Sequence, residues 1–442
     1  MSSIPTRENL LRWFEKNRNR SRELFAMIEP SVYYDRPIPV RNPIVFYEGH
    51  LSAFNVNTLI KLALSRKGID DRLEELFAAG IDPETEAAAG TNSPWPNRDE
   101  VTQYCFAADS MVRHTLESIP LSDTSSPFFR NSEVLLAILE HEPMHHETLL
   151  YMFHRLSHEK KSWTRGLLPK ASRLSNGNAA VKSQSISIPA GKATIGVDDD
   201  EFGWDNERHQ HVDDVPAFSI DSLPVTNGQF LEFIDAGGYE NASLWDEEGW
   251  EWVNTHKIRH PLFWEKRGIQ WMWRGMKEYY PLPPHSPVYA TNAEASAYAR
   301  LQKARLVTEA EYHRAAFGTP EGAERLYPWG DEPPRESHGN FDFHYWDPAP
   351  VGSYPQGASA WGVHELVGNG WEWTSTIFDG FDGFSPMVSY PNYSVGFFDG
   401  KHYVMKGASP VTAKELVRKS FRNWFRGTYP YVYAKFRCVR AE

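Results

Sequence analysis

The chain has 442 residues with 46 basic and 58 acidic side chains, and the resulting charge of −12 argues against nucleic acid or an anionic membrane as its main partner. Its composition is globular (41% hydrophobic, 24% charged, 14% aromatic), and its length exceeds one ordinary core, so two domains are expected. Two cysteines far apart, Cys105 and Cys438, exclude a disulfide framework and a cysteine-built zinc or iron–sulfur site.

The first residues lack an apolar leader core, and no stretch approaches 18 apolar residues; a reducing cytoplasm is the expected location. Residues 8–28 place Leu10, Leu11, Phe14, Leu24, Phe25 and Ile28 at near-helical spacing, with Thr6 as a cap. Residues 47–64 continue the pattern through Phe54, Val56, Leu59, Ile60 and Leu62. A third helix is predicted over 97–119, opened by Pro96, and a fourth over 131–156. Four such helices predict a four-helix bundle, with residues 82–96 as a long crossover loop. Residues 161–185 are rich in Lys, Arg, Ser, Asn and Gly and read as a linker. From 186 to 442 the chain is rich in glycine, proline and tryptophan, with short apolar runs and no tandem repeat. The expected class is therefore α+β multidomain: a bundle over 1–160, the linker, and a loop-rich domain over 186–442.

The chemistry concentrates in His141-Glu142-Pro143-Met144-His145-His146-Glu147, inside the fourth helix. Histidines four apart share one helix face, so their imidazoles can meet one metal ion. Read as H-E-x-x-H, the run is a zinc hydrolase motif with Glu142 as general base. Read as H-x-x-x-H-x-E, it supplies two ligands of a site whose third comes from elsewhere. The best third ligand is His50, expected at the start of the second helix beside Gly49, where a missing side chain allows close backbone approach. Three neutral imidazoles suit ferrous iron or zinc better than magnesium or calcium, and leave one side of the ion open. Glu147 is expected to fix an imidazole tautomer from behind, and His146 to point away. Pro143 costs about 3 kcal/mol within a helix and frees a carbonyl one turn back.

The second half resembles the formylglycine-generating, or sulfatase-modifying, fold, a C-type-lectin-like architecture. The matching blocks are PVTNGQF (224–230), RLVTEAEY (305–312), YPWG (327–330), GVHELVGNGWEW (362–373), KGAS (406–409) and FRCV (436–439). The copper-binding cysteine pair of formylglycine generators is missing, so that activity is not expected. The first half resembles the DinB-like bundle. Joined, the two are similar to the nonheme iron sulfoxide synthases of ergothioneine and ovothiol biosynthesis and to selenoneine synthase. That resemblance implies Fe(II) held by His50, His141 and His145, and dioxygen-dependent carbon–chalcogen bond formation at the imidazole C2 of hercynine. It also implies an imidazole-substrate segment at Asn423 and Trp424, with aromatic faces for a trimethylammonium group.

Three departures bear on the donor. The family's paired-arginine loop corresponds to 80–96, which holds no arginine; its acidic residue after Asn-Trp is Phe425; its tyrosine in a Tyr-x-Gly-Phe context is Phe381. Loss of charged clamps disfavours an amino-acid donor and favours a selenosugar. Selenoneine synthesis is the reading preferred, with ergothioneine- or ovothiol-type synthesis from cysteine or γ-glutamylcysteine as its alternative. Phe425, Phe381 and Met144 are expected on the substrate side, and Tyr429, Tyr431 or Tyr433 to supply a hydroxyl. Partners are then small molecules only, on a monomer or homodimer. A noncatalytic module that holds a ligand with its aromatic half is a third class of reading.

Overall fold

The computed structural model describes residues 6–78, 95–163 and 182–441. Most of the expected crossover loop and most of the expected linker lie outside the described residues, as does most of the arginine-free stretch 80–96. Contacts divide the chain into two units. The first takes the described residues up to 163 together with Asp200–Phe202 and Pro386–Tyr393; the second takes the rest. Two short pieces from beyond residue 186 thus belong by contact to the N-terminal unit.

The first unit is a helical bundle. Helix α1 (Arg7–Ala26) starts where Thr6 accepts a hydrogen bond from the Asn9 amide at 3.3 Å. It buries Leu10, Phe14, Asn17, Ser21 and Leu24, alternately four and three residues apart, along one stripe. Helix α2 (Ile44–Asn55) begins behind Pro43, three residues earlier than the periodicity suggests. It is buried nearly all round, which makes it the central helix. From Val56 to Ala63 it continues as a π-helix, a widened geometry common near functional sites. His50 therefore lies mid-helix rather than at a helix start. A short α3 (Asp71–Leu76), not expected from the sequence, is capped by Asp70. Helix α4 (Arg98–Leu116) is capped by Asn97, and α5 (Glu133–Arg155) carries the histidine run.

Pro143 does not break α5. The carbonyl it leaves without an amide, that of Leu139, accepts from Asn17 Nδ2 of α1 at 2.8 Å. One bond of about 1 kcal/mol offsets part of a penalty near 3 kcal/mol, and packing of the buried α5 faces supplies the rest. No helix among the described residues is long and apolar enough to cross a membrane.

The second unit is built on short strands: β1 (Ser185–Ile188), β2 (Gly191–Ile195), β3 (His211–Val215), β4 (Phe218–Asp221), β5 (Trp264–Arg267), β6 (Gln270–Arg274), β7 (Tyr279–Pro281), β8 (Arg305–Leu306), β9 (Gly370–Ile377), β10 (His402–Ala408), β11 (Asn423–Arg426), β12 (Ala434–Lys435) and β13 (Cys438–Ala441). They pair in the orders β1-β4-β13-β8, β11-β10-β9-β12, β5-β6-β7 and β2-β3. The core joins Ile188, Phe218, Ile220, Tyr312, Leu366 and Val439.

Several family blocks are architectural. Thr226 with Gln229, and Thr308 with Glu311, are reciprocal helix caps. In GNGWEW, Asn369 takes a left-handed φ of 63° and ties both faces of its amide to Ala349. Glu372, fully buried, pairs with Lys435 at 3.1 Å and Arg437 at 2.9 Å. A buried carboxylate left without these partners would be strongly destabilising.

Candidate metal centre

α2 and α5 bring His50, His141 and His145 together. Their potential ligand atoms lie within 4.8 Å of one another, and among the described residues they are the one group able to hold a metal ion. His50 Nε2 is 3.2 Å from His145 Nε2, which is 2.9 Å from His141 Nε2. With ligand bonds of about 2.1 Å, imidazole nitrogens at right angles around one ion stand about 3.0 Å apart. The donor set therefore fits a three-histidine metal site.

Each ring is oriented differently. His50 Nδ1 donates to the Phe77 carbonyl at 2.7 Å, which leaves Nε2 with its lone pair toward the other histidines. Phe77 reaches that position because Gly49 has no side chain: a Cβ there would lie 2.2 Å from the Phe77 ring. His141 lies face to face on Phe54, with centroids 3.5 Å apart and planes at 11°. The Nδ1 atoms of His141 and His145 are buried without a hydrogen-bond partner among the described residues.

The electrostatics favour the neutral form of all three. Burial pushes His50 down to about 4, against the opposing effect of its bond to Phe77. Burial, then repulsion from His145 and His50, sets His141 well below the ordinary imidazole range. His145 is lowered by burial, then by His50 and the buried Arg41. Neutral imidazole is the form that binds a metal.

Glu142 is committed elsewhere. Its Oε1 accepts from Arg18 Nη1 at 2.6 Å and from Ser21 Oγ at 2.5 Å, with all three residues buried. Arg18 also meets Asp109 at 2.9 Å and Ser52 at 3.0 Å. Burial works to raise the Glu142 carboxyl, but Arg18, His146 and Ser21 outweigh it and hold it below its ordinary value. A carboxylate so engaged with a buried guanidinium is a poor general base. His146 points away, its Nε2 2.8 Å from Ser21 Oγ. Glu147 accepts from the Tyr151 hydroxyl, and it does not reach the Nδ1 of His141 or His145, so the expected tautomer contact to those rings is absent.

The remaining expected residues fall in two places. Met144, half-buried beside the triad, accepts from the Tyr393 hydroxyl at 3.5 Å through its sulfur. In the second unit Asn423, Trp424 and Phe425 lie on β11, with one face of Trp424 covered by Phe378 at 4.2 Å. Phe425 stacks on Tyr429 at 4.7 Å, and Tyr429 meets Tyr431 edge-on. Phe381 lies 4.2 Å from the Arg422 guanidinium. Tyr433 is completely buried on Tyr289 and Phe263, so its ring is core packing rather than a reachable hydroxyl.

Sequence reasoning missed Phe77, Arg18, Ser21 and Arg41, and it missed Tyr390, whose ring stands 6.0 Å from His141. One signal was available. The connection from β9 to β10 spans 378–401, far beyond an ordinary turn, and such loops commonly carry function.

Comparison with known proteins gives a consistent assignment. Residues 14–149 match the family model of the DinB superfamily, and 171–442 that of the sulfatase-modifying factor enzyme 1-like domain. The chain is 33% identical over 434 residues to a hercynine oxygenase of Mycolicibacterium thermoresistibile, covering 96% of this chain and 92% of that one. It is 34% identical over 399 residues to a hercynine oxygenase of Mycolicibacterium smegmatis, covering 87% and 88%. Ergothioneine biosynthesis protein 1 of Neurospora crassa is 28% identical over 498 residues, 94% of this chain and 55% of that one.

Proposed function

This chain belongs to the sulfoxide synthase family that includes the hercynine oxygenases, and from that premise we propose that it forms a carbon–chalcogen bond on hercynine with Fe(II) and dioxygen. The observation that carries the reading is the convergence of His50, His141 and His145 while Glu142 is held by Arg18. With Glu142 engaged by Arg18 and Ser21, the H-E-x-x-H reading lacks its free general base, which favours oxygen activation over that hydrolase reading. In the overall reaction the imidazole C2–H and the donor's S–H or Se–H bond break, and the new carbon–chalcogen bond forms. One oxygen atom goes to the chalcogen and the other leaves as water. The two substrates supply all four electrons, so no external reductant is required.

A ferrous ion on the three imidazoles would supply the redox chemistry toward dioxygen. The chain's own residues hold and orient. The Phe77 carbonyl sets the His50 tautomer, and Phe54 covers one face of His141. Burial of all three ligands excludes water from their inner side. Asn423 and Trp424 are proposed to bind the imidazole substrate through an amide and an indole face. Tyr429 and Tyr431 are the proposed hydroxyls beside Phe425.

For the donor we propose a selenosugar over γ-glutamylcysteine. Support comes from the absence of arginine in 80–96 and from Phe425, packed on Tyr429, in the place of the family's acid. An aromatic pair offers apolar area and no counter-charge for an amino-acid donor.

The test is anaerobic reconstitution with Fe(II), then oxygen and hercynine with selenosugar, cysteine or γ-glutamylcysteine offered singly. Oxygen uptake with a C2-substituted product supports the reaction, and turnover with the selenosugar alone supports the donor. Equal turnover with γ-glutamylcysteine defeats the donor assignment. Full activity with zinc and no oxygen uptake defeats the whole reading.

A further inference from the structure

His50 has a hydrogen bond that sets its ring, but His141 has none from its Nδ1 among the described residues. A ligating histidine without such a tether needs another means of fixing its plane. Pro386–Tyr393, a stretch of the long β9–β10 connection that belongs to the first unit, supplies one.

This stretch is fastened to α5 at two points. Ser389 donates to Glu133 Oε1 from its amide at 3.4 Å and from its hydroxyl at 3.0 Å, in the first turn of the helix. The Tyr393 hydroxyl donates to Met144 Sδ at 3.5 Å. Glu133 and Met144 are about three turns apart and lie on nearly the same face. Between those anchors stands Tyr390. Its ring meets Phe54 edge-on at 5.1 Å and 64°, and His141 at 6.0 Å and 75°. Both are within the range of favourable edge-to-face packing. Phe54 covers the face of His141 while Tyr390 braces both rings from the side, and Tyr393 backs Tyr390 at 5.7 Å.

We propose that residues 386–393 are a positioning strap for the metal triad, with Tyr390 as the residue that fixes the His141 ring. The proposal rests on the reading of the triad as a metal site, and its test separates the two. Ring packing does here what a hydrogen bond does for His50, and the Ser389–Glu133 clasp holds the strap in register.

The probe is Co(II) added to the full-length protein, read by its visible absorption and by competition with a chelator. Tyr390→Phe keeps the ring and is expected to retain both the spectrum and the affinity. Tyr390→Ala is expected to weaken Co(II) binding about tenfold or more and to shift the absorption bands, the scale set by loss of a group that orients a ligand. Should that variant fold poorly, Ser389→Ala removes only the clasp hydroxyl and is expected to move affinity and spectrum the same way by less. Wild-type spectra and affinities in both Tyr390→Ala and Ser389→Ala overturn the strap. An unaltered Co(II) spectrum in His141→Ala overturns the metal site itself.

Discussion

Replacing Glu142 separates the two meanings of its motif. The carboxylate accepts 2.6 Å and 2.5 Å hydrogen bonds from Arg18 and Ser21, with 1% of its side chain exposed. In Glu142→Gln the amide oxygen still accepts from both donors, but the charge is gone. Loss of one charge-assisted bond puts the cost at about 1–3 kcal/mol. Arg18→Met is the harsher change, because it leaves the Glu142 carboxylate buried with Ser21 but without its cation, at about 3–5 kcal/mol. Arg18→Met with Glu142→Leu removes the fully buried charge pair, and a large part of that loss should return, since Asp109, the other partner of Arg18, is part-exposed and keeps Ser52. Urea unfolding followed by the far-ultraviolet helix signal reads this directly. For a slope near 2 kcal/mol/M, Arg18→Met should lower the midpoint by about 1.5–2.5 M. Glu142→Gln should meanwhile keep its metal stoichiometry and most of its turnover. Abolished turnover in Glu142→Gln at an unchanged midpoint would refute the reasoning, because the carboxylate would then be acting on substrate.

Asn17→Ala strands the Leu139 carbonyl and should cost about 1–3 kcal/mol by the same unfolding measurement. Adding Pro143→Ala restores an amide for that carbonyl, so the double variant should recover; an equal loss in both backgrounds contradicts the account. Gly49→Ala would set a methyl 2.2 Å from the Phe77 ring and displace the carbonyl that orients His50, lowering Co(II) affinity about tenfold or more in chelator competition. Unchanged affinity would mean the Phe77 bond does not matter. In the second unit, burial brings Lys406 down to about 8 from 10.5, against the opposing charge of Glu309. Between those values the unfolded chain binds more protons, so the stability this group costs below pH 8 returns as pH rises toward 10.5, about 3 kcal/mol in all. The difference in unfolding midpoint between wild type and Lys406→Met, taken at pH 7.5 and pH 9.5, should move in favour of wild type at the higher pH; a constant difference rules this out.

In the first unit α1 and α4 were legible because each is long, buries one stripe and is capped by a side chain, Thr6 or Asn97. Thr6 stands where the periodicity places a start, and α5 runs through Pro143 because burial of both its faces outweighs one missing amide. The start of α2 was misread because that helix is buried on nearly every side and carries no polar face to mark its phase. The short strands of the second unit were legible only through resemblance. Paired across large sequence separations, such as β1 with β4 and β13 with β8, they leave little local periodicity.

The candidate site divides along the same line. Histidines four apart on one helix declare their shared face locally, and His50 stood out beside Gly49 as the third donor before the resemblance implied the same residue. What each neighbouring group does is settled by residues far away in sequence. Arg18, 124 positions before Glu142, turns a would-be base into half of a buried ion pair. Phe77, 27 positions after His50, sets that ring's tautomer. The strap anchors Tyr393 to Met144 across 249 positions and Ser389 to Glu133 across 256. A motif read along the chain therefore states which donor atoms are available, and the fold decides which of them stay free for chemistry. For H-E-x-x-H on a buried helix, the distinguishing observation is whether a cation reaches the glutamate first. Here one does, and the two histidines are left to a third imidazole rather than to a carboxylate.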